Sequence, residues 1–207
     1  SKFDVTIIAP DFGVYTRPHP NVKIVSIPTF DFEWGDFKPA KFRYALIKRV
    51  VKNADVVFSQ TIGPIGFQAI LAARKYKKSL ACFTHSIEWE LVPKSTNNLL
   101  LKQISHSLTK RLVRFLYNKA TVLIAPSEGI KDLLSWQGIS TPIEVVHLGV
   151  DSSRFVPVNS TQAKKVLHLD SDCFFIGYHG RLALEKDLMT LIRAFQRLHK
   201  LHPKVRL

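Results

Sequence analysis

Short apolar runs alternate along this chain with longer stretches in which apolar residues recur every three or four positions. Runs of the first kind predict buried strands, and the second kind predicts amphipathic helices. Phe3 to Pro10 is apolar and β-branched, and it stops at Asp11-Phe12-Gly13, so a strand is expected there. Val22 to Pro28 is rich in β-branched residues, Val22, Ile24, Val25 and Ile27 around Lys23 and Ser26, and reads as a second strand. Phe42, Leu46 and Val50 with Lys and Arg between them predict a helix over about Ala40 to Asn53. Ala54 to Ser59 reads as a strand, Gly63-Pro64-Ile65-Gly66 as the loop after it, and Phe67 to Tyr76 as a helix. Leu80 to Thr84 is the next strand and Asn98 to Tyr117 a long helix. Ala120 to Ala125 is a strand, Ser127 caps a helix that Gly138 stops, and Glu144 to His147 is a strand again. Strands that alternate with helices in this way predict an α/β fold built on a parallel sheet covered on both faces.

The alternation breaks at Leu148 to Pro157, which leads into the polar stretch Val158 to Gln162. A short helix, Thr161 to Leu167, follows, and then a fresh strand, Cys173 to Tyr178. Beyond it comes a helix with Leu188, Leu191, Ile192, Phe195 and Leu198 on one face, and Val205 to Leu207 begins another strand. The expected organisation is a first domain over 1–150, a linker over 151–172 and the start of a second, truncated domain over 173–207.

Composition narrows the partners. Of 207 residues, 46% are apolar and 22% charged, which excludes intrinsic disorder. The longest uncharged apolar runs, such as Thr121 to Pro126, fall far short of the about 20 residues that cross a bilayer. The opening residues read as a strand start rather than a signal peptide. Cys82 and Cys173 both sit inside apolar runs and are expected to be buried free thiols of a reducing compartment. The net charge of +14 is unevenly spread. Asp55 is the only acid between Asp36 and Glu88, and none occurs from Leu91 to Ser127. Such a field attracts nucleic acid, anionic lipid or phosphorylated small molecules without choosing among them.

The chemistry that could choose lies after the Cys173 strand. Gly180-Arg181-Leu182 leads through Glu185-Lys186 into a helix, so two cations flank a helix N-terminus. Such a terminus favours an anion, Arg181 adds a planar fork suited to phosphate oxygens, and Lys186 adds a point charge. The carboxyl end of a parallel strand is also where open α/β sheets bind ligands.

The run Gly180-Arg181-Leu182-x-x-Glu185-Lys186, continued by Leu191-Ile192-x-Ala194-Phe195, resembles the start of the second domain in GT-B glycosyltransferases of family 4. Ala125-Pro126-Ser127 before a helix is similar to that family's Pro-Ser helix. Val145-Val146-His147-Leu148-Gly149-Val150-Asp151-x-x-x-Phe155 is similar to its hinge. Ala54-Asp55-Val56-Val57 through Leu80 to His85-Ser86 resembles its middle strands. The resemblance covers nearly the whole chain. It implies a retaining transfer of a sugar from a nucleotide-diphosphate donor (a UDP- or GDP-sugar) to a glycan or lipid-linked acceptor, in a cleft between two Rossmann-like domains, with no metal. Gly180, Arg181 and Lys186 would hold the donor diphosphate, and His85 would act catalytically beside the transferred sugar. Glu88 and Glu90 would contact the acceptor. The family's first strand would precede Ser1 and its paired-Glu motif would follow Leu207, so the isolated chain is expected to be inactive. Two positions depart from the pattern: Leu148 stands where Asn is common, and Asp187 where Gly is common.

Other signals point elsewhere. Asp170-Ser171-Asp172 imitates a metal-binding Asp-x-Asp but precedes a strand as a polar turn, and the eight His show no zinc-like spacing. Asp11-Phe12-Gly13 lacks the companions of a kinase triplet. In the Asn98 to Tyr117 helix, Leu101, Ile104, Leu108, Leu112 and Phe115 share one face, and Lys102, His106, Lys110 and Arg114 share another. A basic amphipathic helix of this kind, with Lys102, Lys110, Arg111 and Arg114 turned to an anionic membrane, predicts a lipid-linked acceptor. The competing pattern is an ordinary helix that covers the sheet and solvates its basic face. The expected location is the cytoplasm, peripheral on the cytoplasmic membrane face. Two rival readings are a basic α/β module on nucleic acid, whose RNP, Gly-x-x-Gly and Cys/His signatures are absent, and a catalytically inactive homologue.

Overall fold

The structure is a computed structural model that describes residues 3–13, 19–32, 38–84, 86–95, 98–182 and 186–207, the side chains of 94 and 95 excepted. It divides into two compact units, Ser1–Leu148 and Gly149–Leu207. Segment 151–172, expected as a linker, falls within the second.

In the first unit, β1 (Val5–Pro10) and β2 (Val22–Ile27) pair in parallel, Val5 opposite Val22. A second sheet runs in the order β3 (Val56–Ser59), β4 (Ser79–Phe83), β5 (Val122–Ala125), β6 (Ile143–Val145), every pairing parallel. The connections are α1 (Tyr44–Lys52), α2 (Pro64–Lys75), α3 (Glu88–Leu91) with a 3-10 turn at Val92–Ser95, α4 (Leu99–Tyr117) and α5 (Glu128–Trp136). The α/β class expected from the pattern is what the chain adopts. The core joins Ile47 of α1, Ile70 of α2, Leu80 and Cys82 of β4, Leu116 of α4, Leu123 of β5 and Leu134 of α5.

Two helix starts differ from expectation, each for a local reason. α1 begins at Tyr44 rather than Ala40 because the residues before it are engaged in extended pairing. Ala40 bridges Thr29, Phe30 N–H donates to Pro39 O at 2.9 Å, and Lys41 N–H donates to Pro28 O at 2.7 Å. Gly63 to Gly66 is not a loop: α2 starts at Pro64, where the missing proline N–H has no helical partner to lose. Gly66 sits in that first turn because the chain passes too close for anything larger. A Cβ there would lie 1.7 Å from the Thr61 carbonyl oxygen. The buried Gln68 amide is satisfied on both ends, accepting from Arg43 N–H at 2.9 Å and donating to Pro64 O at 2.7 Å.

Caps at the later helices follow the sequence. Asn98 accepts from Leu100 N–H and Leu101 N–H, and Ser127 accepts from Ile130 N–H. Gly138 ends the α5 region at φ +77°, a conformation that favours glycine.

The second unit is a small βαβ arrangement preceded by α6 (Ser160–Val166). β7 (Phe174–Phe175) pairs in parallel with β8 (Val205–Arg206), and α7 (Leu188–Leu201) connects them. The expected Cys173 to Tyr178 strand is thus two residues long. Among the described residues of this unit only Cys173 and Val205 are buried, and no side chain of α7 is. Asp170 closes the turn before β7 by accepting from Asp172 N–H at 2.9 Å and from the Cys173 thiol at 3.3 Å. Lys164 of α6 braces the same turn through the carbonyls of Ser171 and Cys173. Both cysteines are free and buried.

Candidate donor and acceptor sites

Parallel strands point their carboxyl ends the same way, so the loops after β3, β4, β5 and β6 gather at one edge of the four-stranded sheet. The ladder continues past the strands at this edge. Thr84 N–H donates to Ile124 O, Val146 N–H donates to Ala125 O, and Pro126 O accepts from His147 Nδ1 at 3.0 Å. His85, the residue expected to be catalytic, lies outside the described residues. The two carboxylates beyond it have different environments. Glu88 opens α3 half-buried, and its Oε1 accepts from the Ser86 hydroxyl at 3.2 Å and the Tyr117 hydroxyl at 3.4 Å. Glu90 is exposed, and its Oε1 stands 3.6 Å from His106 Nε2 on α4. The loop after β4 is therefore tied to α4 at two places.

Tyr117 is fully buried at the last turn of α4, and its backbone carbonyl accepts from the Thr141 hydroxyl at 2.8 Å. Burial first, and the nearby Glu88 charge second, hold its phenol well above the ordinary tyrosine range. The phenol is thus a permanent donor that fixes the Glu88 carboxylate. Tyr117 is the Glu88 partner that spacing alone does not show, since the two meet across 29 residues of sequence. Its only signal was its place at the end of a helix.

In the second unit, Gly180 and Arg181 occupy the segment after β7, and Lys186 precedes the start of α7. Residues 183–185 between them, Glu185 included, lie outside the described residues. The Tyr178 hydroxyl crosses the turn to donate to Arg181 O at 2.8 Å. Gly180 leaves room for this ring, because a Cβ there would come within 2.6 Å of the Tyr178 oxygen. Asp187 stands at the N-cap of α7 in a left-handed conformation, φ +47°, where the pattern of the resemblance has Gly. Its carboxylate makes no bond to the first-turn amides; Oδ2 instead accepts from the Thr190 hydroxyl at 2.8 Å. Arg181 and Lys186 are both exposed. Lys186 comes two residues before the 14-residue α7, whose N-terminus favours an anion, and Asp187 sets a carboxylate at the same place.

Of the basic residues expected on α4, Arg111 and Arg114 are exposed. Lys102 and Lys110 are half-buried on the side that holds His106, opposite the apolar row. No helix among the described residues is long and apolar enough to cross a membrane.

Comparison with known proteins identifies relatives of the chain. The chain is 25% identical over 191 residues to the Alpha-monoglucosyldiacylglycerol synthase of Streptococcus pneumoniae, an alignment that takes in 90% of this chain and 43% of the relative. The chain thus spans less than half the length of that relative. A sequence profile described as Glycosyltransferase Family 4 matches residues 1–154. This chain belongs to Glycosyltransferase Family 4.

Proposed function

We propose that this chain supplies the acceptor side and the beginning of the donor side of a retaining glycosyltransferase. Its donor is a nucleotide-diphosphate sugar and its acceptor a membrane lipid. The observation that carries the reading is the alignment with a synthase of a glucosylated diacylglycerol, which runs past the family match into the second unit.

In this reading Arg181 and Lys186 bind the diphosphate, and their charge matters most as the bond to the sugar breaks. Negative charge then grows on the departing phosphate oxygens, and cations already fixed in place stabilise it more than they stabilise the ground state. The N-terminal amides of α7 add to the same field. Donor binding and leaving-group stabilisation are thus assigned to side chains of this chain, with no metal. On the acceptor side Glu88, held by Ser86 and Tyr117, orients an acceptor hydroxyl, and His85 is assigned the catalytic role. The protein works from the cytoplasmic face of a membrane.

The test uses the full-length gene product with nucleotide-sugars and diacylglycerol, and reads the anomeric proton coupling of the product. Retained configuration is expected; an inverted product would overturn the mechanism.

A further inference from the structure

The outward face of α4 is apolar. Leu101, Ile104, Leu108, Leu112 and Phe115 follow each other at intervals of three and four residues, and each is between 41% and 65% exposed. The opposite side carries the polar row, with Lys102, His106 and Lys110 half-buried and His106 meeting Glu90 of α3. Burial of apolar side chains is confined to the last turns, at Val113, Leu116 and Tyr117. A helix that merely covers a sheet shows the reverse arrangement, apolar side in and charged side out. A contiguous apolar stripe on a helix surface marks a contact with something other than water.

Charge identifies the occupant. α4 contains no Asp or Glu, and Arg111 stands exposed beside the stripe, whereas Arg114 belongs to the polar row. Lys119 lies over the Phe115 ring, 4.1 Å from its centre, at the end of the same row. A second copy of this chain on the stripe would press two acid-free helices together, within two molecules that each carry a net charge of +14. An anionic bilayer instead offers acyl chains to Leu and Phe and phosphates to Arg, and long cationic side chains reach that interface easily. We propose that α4 is the face by which this protein lies on a membrane rich in anionic lipid. The inference deepens the lipid-acceptor reading, since the inner side of α4 carries the loop with Glu88 and Glu90. It nonetheless stands on the geometry of the helix alone, and its test contains no sugar donor.

The test is co-sedimentation of the 207-residue chain with vesicles of phosphatidylglycerol and phosphatidylcholine, or of phosphatidylcholine alone, at low salt. Binding to the anionic vesicles only, weakened by added salt, is expected. Ile104→Ser with Leu108→Ser, and separately Arg111→Ser with Lys119→Ser, should each weaken it by roughly tenfold or more, the first pair by removing apolar contact with acyl chains and the second by removing two cations at the anionic surface. None of these side chains is buried, so melting temperatures should stay near the parent value, and either pair suffices if the other fails to fold. No binding to anionic vesicles, or binding indifferent to both pairs, would overturn the proposal. So would a self-association lost in the Ile104/Leu108 pair without vesicle binding, which would assign the stripe to a second copy. Sugar transfer can succeed or fail independently of all three outcomes.

Discussion

Single residues set the tolerances of this fold most visibly at Gly66 and Cys82. At Gly66 the obstacle is a backbone carbonyl 1.7 Å from where a Cβ would stand, and a backbone group cannot rotate out of the way. Gly66→Ala should therefore destabilise the first unit by about 2 kcal/mol or more, the scale of overpacking a filled site. Chemical denaturation would show it; a neutral effect would mean that the Thr61 turn moves freely. Cys82 lies on β4, and burial pushes its thiol from an ordinary value of about 9 up to about 12. Its folded-state value lies above its unfolded one, so its contribution is complete below about pH 9 and is lost as pH rises toward about 12. Tyr117 shifts in the same direction. Stability should fall with alkaline pH from about 9 upward, and Cys82→Ala should flatten part of that slope. Rapid modification of the native thiol at pH 8 would contradict the burial.

Among the elements, the connecting segment after β6 is the one expected to yield first. Residues from Gly149 to Asn159 are all exposed, and the turn within them is held by Asp151, whose Oδ1 accepts from Ser153 N–H and its hydroxyl. Those bonds hold the Asp151 carboxyl below the usual carboxylate range. Chymotrypsin should cut at Phe155 before any site within β3 to β5, and mass spectrometry of the first fragments would show it. First cleavage inside 56–125 would contradict the division into two units. The elements also mark how far the sequence could be read. Strand and helix order was legible because apolar spacing directly reports which residues must be covered. The start of α1 was not, because Pro39 to Lys41 are committed to Pro28, Thr29 and Phe30, a pairing that no local pattern encodes. The two faces of α4 were legible from spacing, but which of them turns outward was not. That depends on α3 and on the core positions Val113, Leu116 and Tyr117.

At the scale of the whole molecule, the candidate sites divide along the same lines. Arg181 and Lys186 were legible as candidates because they are neighbours in sequence, on either side of the turn into α7. The clasp on Glu88 was only half legible: Ser86 stands two residues away, whereas Tyr117 arrives from the far end of another helix. Among its described residues the second unit has two paired strands and an α7 with no buried side chain. Donor selectivity needs groups held in fixed geometry, so the 207 residues alone are expected not to turn over. Sugar transfer by the purified chain would show that this unit is sufficient as it stands.

The most direct measurement is transfer of labelled sugar from a nucleotide-sugar into the lipid phase of anionic vesicles by the full-length gene product, compared with Arg181→Ala. The account predicts label in the lipid, and a loss of kcat/KM of about two orders of magnitude or more in the variant, the scale of removing one fixed charge contact to the transition state. Equal transfer by both proteins would contradict it, as would label that never enters the lipid.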